Sequence, residues 1–505
     1  MLLPLTSGGD GGRLAPARAG SRRRWVLGVC VAVLAFAARL VPVLHGGGLW
    51  GLGDYDDGVH YSAAAALVHG RLPYRDFLFL HPPGIVLALT PFAAVGRLLG
   101  DPTGFAAARV AWMVLGAVDA LLVVAVLRRR GPVAALLGGL FYALFPPAVY
   151  GEHSTQLEGL ATACTLVALL LLTGRRRPGL GPVVLAGALL GASAGVKIWG
   201  VVAVAVVVVA TALTTGRRRA LAVAAGGVAG ATVVCLPFFL ASPGAMARMV
   251  VRDQLGRPEA HVTAVVRLTQ VVGLPVPGTP VPLLVAVLAA FALLTVLAWR
   301  TAEGRLPAAL LVGLTGLLML TPSWFVHYAS LVAGPAALTM GAGAAQLCAQ
   351  ARRVSPRLGV VVAAVLGLLV AGYAAPTASA RLGTPFPGRQ LAVAAQAAPG
   401  CVTTDDPTTL VEMDVLGRDL DRGCPVVVDL GGYSYDHPAV PPVPRARNQG
   451  WQRYALGYLR SGSVVVVARF SAHEGFSPAT AALVDRWPVL QRVGRYAVRR
   501  AEPRG

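Results

Sequence analysis

GDYDDGVHYSAAAALVHGRLPYRDFLFLHPPG, residues 53–84, lies between the first and second long apolar stretches of the chain. It sets Asp54, Asp56 and Asp57 together, then adds tyrosines, histidines, a Pro73-Tyr74-Arg75-Asp76 turn and the triplet His81-Pro82-Pro83. The run after the acids has helical spacing, which seats Asp56 and Asp57 at a helix N-terminus, where the helix dipole favours an ionised carboxylate. An ionised acid held at a bilayer surface suits a transferase that must deprotonate an acceptor. The competing reading of the same acids is a solvated loop.

Composition places this segment beside a membrane. Hydrophobic residues make up 55% of the 505 and charged residues 13%, and the mean hydropathy is +0.65. Apolar runs of roughly 18 residues or more recur, each long enough to cross about 30 Å of hydrocarbon. A soluble protein is excluded. The net charge of +21 comes largely from short blocks between these runs: Arg22–Arg24, Arg128–Arg130, Arg175–Arg177, Arg217–Arg219, then Arg352, Arg353 and Arg357. That is the distribution of cytoplasmic loops facing anionic lipid, so the expected partner is a bilayer and not nucleic acid. The first apolar stretch lacks a cleavage-site pattern and is expected to remain as a span.

Keeping the Arg blocks inside predicts a polytopic α-helical membrane protein of about 11 spans with the N-terminus inside. Residues 1–24 form an Arg-rich cytoplasmic tail and 25–375 the transmembrane domain, with external loops at 45–103, 151–156 and 242–280. Within this scheme Val133–Tyr150 is one span, and Gly84–Leu99, which contains Pro91, is an interfacial or re-entrant helix. Residues 376–505 follow as a small extracytoplasmic α/β domain. In it, β-rich runs (CPVVVDL, SGSVVVVARF) alternate with helix-like ones (PTTLVEMDVLGRDL, SPATAALVDRW), and PPVP at 441–444 reads as a loop. Four of the six cysteines lie in apolar stretches. Cys401 and Cys424 do not, and they are a candidate disulfide if that domain is extracytoplasmic.

Beyond Asp56 and Asp57, several residues can contact substrate. His81 sits where two prolines fix the backbone, a rigid turn being the simpler reading. Lys197 is the one lysine in the chain and falls at the external end of a tight hairpin. There it either snorkels to the interface or holds a lipid phosphate. Glu152, His153 and Glu158 surround the second external loop. His327 and Tyr328 end a late span, as an aromatic cap or a donor contact. Arg39, Arg109 and Asp119 fall inside apolar stretches and are expected to pair with other buried groups. No metal-ligand spacing, nucleotide fingerprint or nucleophile elbow stands out.

At these positions the chain resembles the GT-C superfamily of integral-membrane glycosyltransferases, and within it the protein O-mannosyltransferase, aminoarabinose-transferase and RgtA/B/C/D-like group. The carrying elements are Asp56-Asp57, the helix Val59–His69, Pro73-Tyr74, His81-Pro82-Pro83, Glu152, Lys197, His327-Tyr328 and the loop 242–280. The chain departs from the pattern with Asp where the second acid can be Glu, and His where relatives carry Lys. The resemblance implies an inverting transfer from a polyprenyl-phosphate sugar to an acceptor hydroxyl outside the membrane, with lipid, glycan and protein acceptors all open. The dominance of Arg over Lys and the richness in Ala, Gly and Val point to a bacterial plasma membrane. Asp56 and Asp57 would be catalytic, with Asp56 the base. Lys197, His81 and His327 would stabilise the departing phosphate, and Asp54, Tyr61, Arg75, Glu152, His153 and Tyr328 would line the substrate site. No cofactor is required by it, and a divalent metal is left open because relatives differ. From its external location, the C-terminal domain is expected to help select the acceptor. The rival reading is a transporter or lipid-linked-sugar flippase, favoured only by Asp119 with Arg109. A third is a silent scaffold that binds cell-wall components.

Overall fold

The computed structural model describes residues 16–174, 178–257, 262–437, 443–470 and 475–502. The Arg175–Arg177 block, most of the Arg-rich tail, part of loop 242–280 and the first half of PPVP lie outside the described residues, as do the side chains of Arg22–Arg24. Helix α1 (Pro16–His45) leads into the acid segment, which folds as α2 (Tyr55–Val68) and α3 (Gly84–Leu99) before α4 (Asp101–Leu127). The stretch expected as one span from Val133 is instead α5 (Pro132–Leu144) and α6 (Pro146–Glu152), bent by 57°. Pro146 and Pro147 remove two amide donors at the join, which breaks the helical ladder there.

Next come α7 (Leu157–Thr173), α8 (Leu180–Val196), α9 (Gly200–Thr215) and α10 (Arg217–Ala241). The segment read as a long loop contains short helices, α11 (Pro243–Ala247), α12 (Asp253–Leu255) and α13 (Ala264–Val271). Four further helices complete the bundle: α14 (Val281–Trp299), α15 (Arg305–Leu320), α16 (Ala333–Val354) and α17 (Pro356–Ala378). Among the described residues six helices, or seven counting the bent pair, are long and apolar enough to cross a membrane, and five shorter apolar helices accompany them. This is a multi-pass membrane protein.

Burial follows from that environment. α16 is enclosed along most of its length, whereas α17 exposes nearly all of its apolar surface. Leu213, Val233 and Leu368 stand in the open, as side chains facing lipid tails can. Because lipid is as apolar as leucine, helices in it associate through close backbone packing. α8 and α10 do so at glycines: a Cβ on Gly191 would run into the Gly227 carbonyl, and one on Gly230 into that of Ala188.

After the bundle come α18 (Gly388–Gln396), β1 (Val402–Thr404), α19 (Pro407–Glu412) and α20 (Leu416–Asp421). The chain ends with α21 (Gln449–Leu459), β2 (Val464–Val466), α22 (Pro478–Asp485), β3 (Val489–Val493) and β4 (Tyr496–Arg500). The sheet order is β1-β2-β4-β3, with β1 parallel to β2 and the other pairs antiparallel. Of the two expected β-runs, SGSVVVVARF supplies β2, but CPVVVDL (424–430) forms no strand. Its start is tied by the Cys401–Cys424 disulfide, and Pro425 cannot donate to a ladder. Val428 and Leu430 are buried without one. The helix-like PTTLVEMDVLGRDL is split into α19 and α20 at Asp414, whose φ is +54°.

The sheet region is seated directly on α2. Gly58 leaves the space that the Thr408 backbone and hydroxyl occupy, and one apolar cluster runs from α2 and α3 through Leu391, Val411 and Val464.

Candidate active site

Asp54 caps α2, and Asp56 and Asp57 lie in its first turn. Successive helical residues are turned by about 100°, so the acids enter different surroundings. Asp57 points inward and is fully buried. It accepts from Arg109 Nε at 2.8 Å, from the Thr155 hydroxyl at 2.6 Å and from the Thr155 amide at 3.0 Å. Burial alone would raise its pKa, but the Arg109 guanidinium and Thr155 outweigh it and hold the carboxyl below the usual range. Asp54 accepts from the Tyr150 hydroxyl at 2.7 Å. Burial still raises its pKa, against the pull of His153 and Tyr150. Asp54 and Asp56 both stay partly open, but Asp56, with 27% of its side chain exposed, has Oδ2 3.6 Å from His327 Nε2 and no tyrosine donor like that of Asp54.

His327 faces Asp56. His327 stacks on Phe325, and Tyr328 packs edge-on to it. The Lys197 ammonium lies 4.1 Å from the centre of the Tyr328 ring. His81 is packed edge to face with His60 at 5.6 Å. Burial drives the His81 imidazole well below its ordinary pKa, and Lys197, His60, Arg257 and His327 push it the same way. It is therefore neutral and can offer one N–H, not a charge.

The other sequence candidates fall elsewhere. Lys197 does not offer a free cation to a phosphate, because Nζ is 2.8 Å from Glu158 Oε1 in a buried pair. Glu152 faces the bundle interior, where it accepts from Arg39 Nε at 2.7 Å and from Tyr142. Tyr61 packs on Phe105 and donates to the Asp101 carbonyl. Arg75 is half exposed and is spent on its neighbour Asp76. His153 sits beside Tyr150, Nδ1 2.6 Å from the Tyr150 carbonyl oxygen. The three apolar-stretch charges have buried polar neighbours, as expected: Arg39 with Glu152, Arg109 with Asp57, and Asp119 with Tyr142.

Arg257 is the residue that sequence reasoning missed. It sits between the rings of Phe325 and Tyr435 and donates to the Tyr328 hydroxyl at 3.2 Å. It is 8% exposed, and no carboxylate lies within salt-bridge distance among the described residues. A single Arg in QLGRPEAH carried no periodic signal. His60 was also missed: its Nδ1 contacts the Thr155 carbonyl at 2.8 Å while Nε2 has no partner among the described residues. The sheet region closes the site from above. Arg469 donates to the Gly53 carbonyl at 2.9 Å, and the Gly431 amide donates to the Tyr55 hydroxyl at 3.0 Å. Asp429 and Tyr435 thereby come to face the Arg257 side. Among the described residues no cluster of three or more His, Cys, Asp or Glu is arranged to hold a metal ion.

An apolar cavity of about 990 Å³ lies between α5, α14 and α17. Phe141, Pro147, Leu274, Phe291 and Tyr373 line it, and Tyr150, the donor to Asp54, forms part of its wall.

Residues 79–323 match the family model for glycosyltransferase family 87. No curated protein sequence matches the chain. The fold is similar to that of ArnT from Cupriavidus metallidurans in the apo state, with a TM-score of 0.62 at 16% identity over 96% of this chain and 98% of that one. The same protein bound to undecaprenyl phosphate gives 0.62 at 17% identity, covering 96% and 99%. The archaeal oligosaccharyltransferase AglB from Archaeoglobus fulgidus, in complex with an inhibitory peptide and a dolichol-phosphate, gives 0.57 at 11%, covering 89% and 69%. A glycosyltransferase family model thus matches residues 79–323, and nearly the whole chain shares the fold of ArnT.

Proposed function

We propose that the protein transfers a sugar from a polyprenyl-phosphate donor to an acceptor hydroxyl, with inversion at the anomeric carbon. The carrying observation is the separation of the acids: Asp57 is neutralised by Arg109, Asp54 is capped by Tyr150, and Asp56 is partly open beside His327. Asp56 takes the hydroxyl proton as the acceptor oxygen attacks from the side opposite the departing phosphate. Arg257 is the cation placed to hold that phosphate, and His81 can add a neutral N–H. A preorganised positive group aimed at developing charge is the electrostatic part of such catalysis. Asp57 and Lys197 act behind this layer by fixing α2 and the Tyr328 face.

Three further observations support the reading. The structures of ArnT with undecaprenyl phosphate and AglB with dolichol-phosphate pair this fold with lipid phosphates. The apolar cavity suits a prenyl or acyl chain. Sidedness follows from charge and redox chemistry: the Arg blocks favour the cytoplasm and the Cys401–Cys424 disulfide an oxidising compartment. On this reading α1, α4, the α5–α6 pair, α7 to α10 and α14 to α17 make the 11 crossings. The site and residues 376–505 then lie outside the plasma membrane.

The test is transfer by purified protein in lipid, using radiolabelled short-chain polyprenyl-phosphate mannose, arabinose and glucose with a membrane-lipid extract. Label should leave one donor with wild type, and Asp56→Asn should lower the rate by roughly 10²–10⁴. Equal transfer by Asp56→Asn, or no donor consumed and none protecting the protein, would overturn the proposal.

A further inference from the structure

Glu412 ends α19, the helix that packs along α2. Its side chain is 2% exposed and its Oε1 lies 3.7 Å from Arg109 Nη1. Arg109 is already committed elsewhere. Its Nε and Nη2 serve Asp57, and its Nη1 donates to the Leu49 and Gly51 carbonyls at 2.6 and 3.0 Å. The guanidinium thus staples both ends of the segment 49–57, which carries Asp54 and Asp56 between them. Glu412 Oε1 has no hydrogen-bond partner among the described residues. One buried cation therefore lies between two buried carboxyl groups, the other cation near Glu412, Arg389, being exposed, and ionising both would leave an anion poorly compensated in a dry interior. Asp57 holds the short bonds, so the proton belongs to Glu412.

We propose that Glu412 is a positioning residue for the Asp56 segment: protonated, it closes the Arg109 pocket from the sheet side, and on losing its proton it draws Arg109 away from Asp57, Leu49 and Gly51. This rests on the reading of Asp56 as the base. The charged groups facing Glu412 are Asp57 from α2, Arg109 from α4 and Arg389 from α18. β1, which also contacts α19, has only Val402, Thr403 and Thr404 and brings none. Burial raises the Glu412 pKa to about 8 and Asp57 adds to the rise, while Arg109 and Arg389 oppose it. The folded value lies above the unfolded one, so the folded state binds more protons between them. Stability accordingly falls as pH climbs from the ordinary glutamate range to about 8, and levels off beyond.

Amide hydrogen exchange of residues 49–57, corrected for intrinsic rate, tests this on the full-length protein in nanodiscs below and above about pH 8. Wild type should lose protection across that range. Glu412→Gln, neutral at every pH, should keep it, and its melting temperature should gain on wild type as pH rises to the same point and no further. Glu412→Ala should exchange faster at all pH values, which separates lost packing from gained charge. Loss of protection by Glu412→Gln in parallel with wild type would overturn the proposal. So would a wild type with no alkaline loss. No sugar donor enters these measurements, so an inactive transfer assay leaves the result readable. Where transfer is measured, the alkaline fall in turnover should move to higher pH in Glu412→Gln, and an unmoved fall counts against the role.

Discussion

Removing Arg109 and neutralising Asp57 break the same ion pair, yet the structure predicts unequal costs. Arg109→Met strands Asp57, which is fully buried and keeps only the Thr155 donors. A buried charge left without its partner costs about 3–5 kcal/mol. The Leu49 and Gly51 carbonyls also lose donors, adding about 1 kcal/mol each. Asp57→Asn preserves shape and the acceptor for Thr155, and Arg109 then has Glu412 3.7 Å away with a proton to give up. Its cost should be only about 1–2 kcal/mol. In Asp57→Asn/Glu412→Gln no carboxylate remains beside Arg109, and the cost returns to about 3–5 kcal/mol. A double-mutant cycle at neutral pH should therefore show a coupling of about 2–3 kcal/mol between positions 57 and 412. Unfolding titrated with SDS in mixed micelles, followed by tryptophan fluorescence, gives the free energies. Equal losses for Arg109→Met and Asp57→Asn, or additive losses for 57 and 412, would refute the reasoning.

Arg257→Ala should lower kcat/KM by roughly 10²–10³, as removal of one charge-stabilising donor does, without changing unfolding midpoints; a shift in stability and no kinetic loss would reassign it to packing. Lys197→Met should destabilise the bundle by about 3–5 kcal/mol because Glu158 is left buried and charged. The double variant Lys197→Met/Glu158→Gln should recover most of that in the same SDS titration. Cys401→Ser/Cys424→Ser opens a link across 23 positions and should cost the sheet region about 3 kcal/mol. Limited proteolysis within 400–430 should read that loss while the helices stay resistant.

What the sequence disclosed depended on range. Helix placement was legible because each apolar run had to satisfy its own backbone: Gly84–Leu99 and Val281–Trp299 fall where hydropathy put them. The α5–α6 bend has its own signal in Pro146-Pro147, but both arms are apolar, so hydropathy alone predicts one straight span. The acids were found through local crowding at a helix start. Their division of labour was not legible, because it is imposed by Arg109, Tyr150 and His327, far along the chain from α2. Lys197 was conspicuous as a lone lysine, but its partner Glu158 lies 39 positions away on another helix. CPVVVDL had strand composition and no strand, because pairing depends on which edge is free and not on propensity alone.

The contacts between α2 and the sheet region also decide what removing residues 380–505 would report. Such a deletion is the natural way to ask whether that region selects the acceptor. Yet it would take away Thr408, which fills the space at Gly58, Glu412 beside Arg109, and Arg469, which donates to the Gly53 carbonyl. Each of these holds the segment that carries Asp56. The truncated chain should lose transfer to every acceptor alike, so a silent assay would say nothing about selectivity. Substitutions at Asp429 and Tyr435 are the better probe. Both reach toward Arg257, and neither side chain hydrogen-bonds the segment from Gly53 to Gly58. If the sheet region chooses the acceptor, Tyr435→Ala should change the ratio of kcat/KM between two acceptors while hydrolysis of the donor by water persists. If it serves only as a clamp, both acceptors and water should fall together.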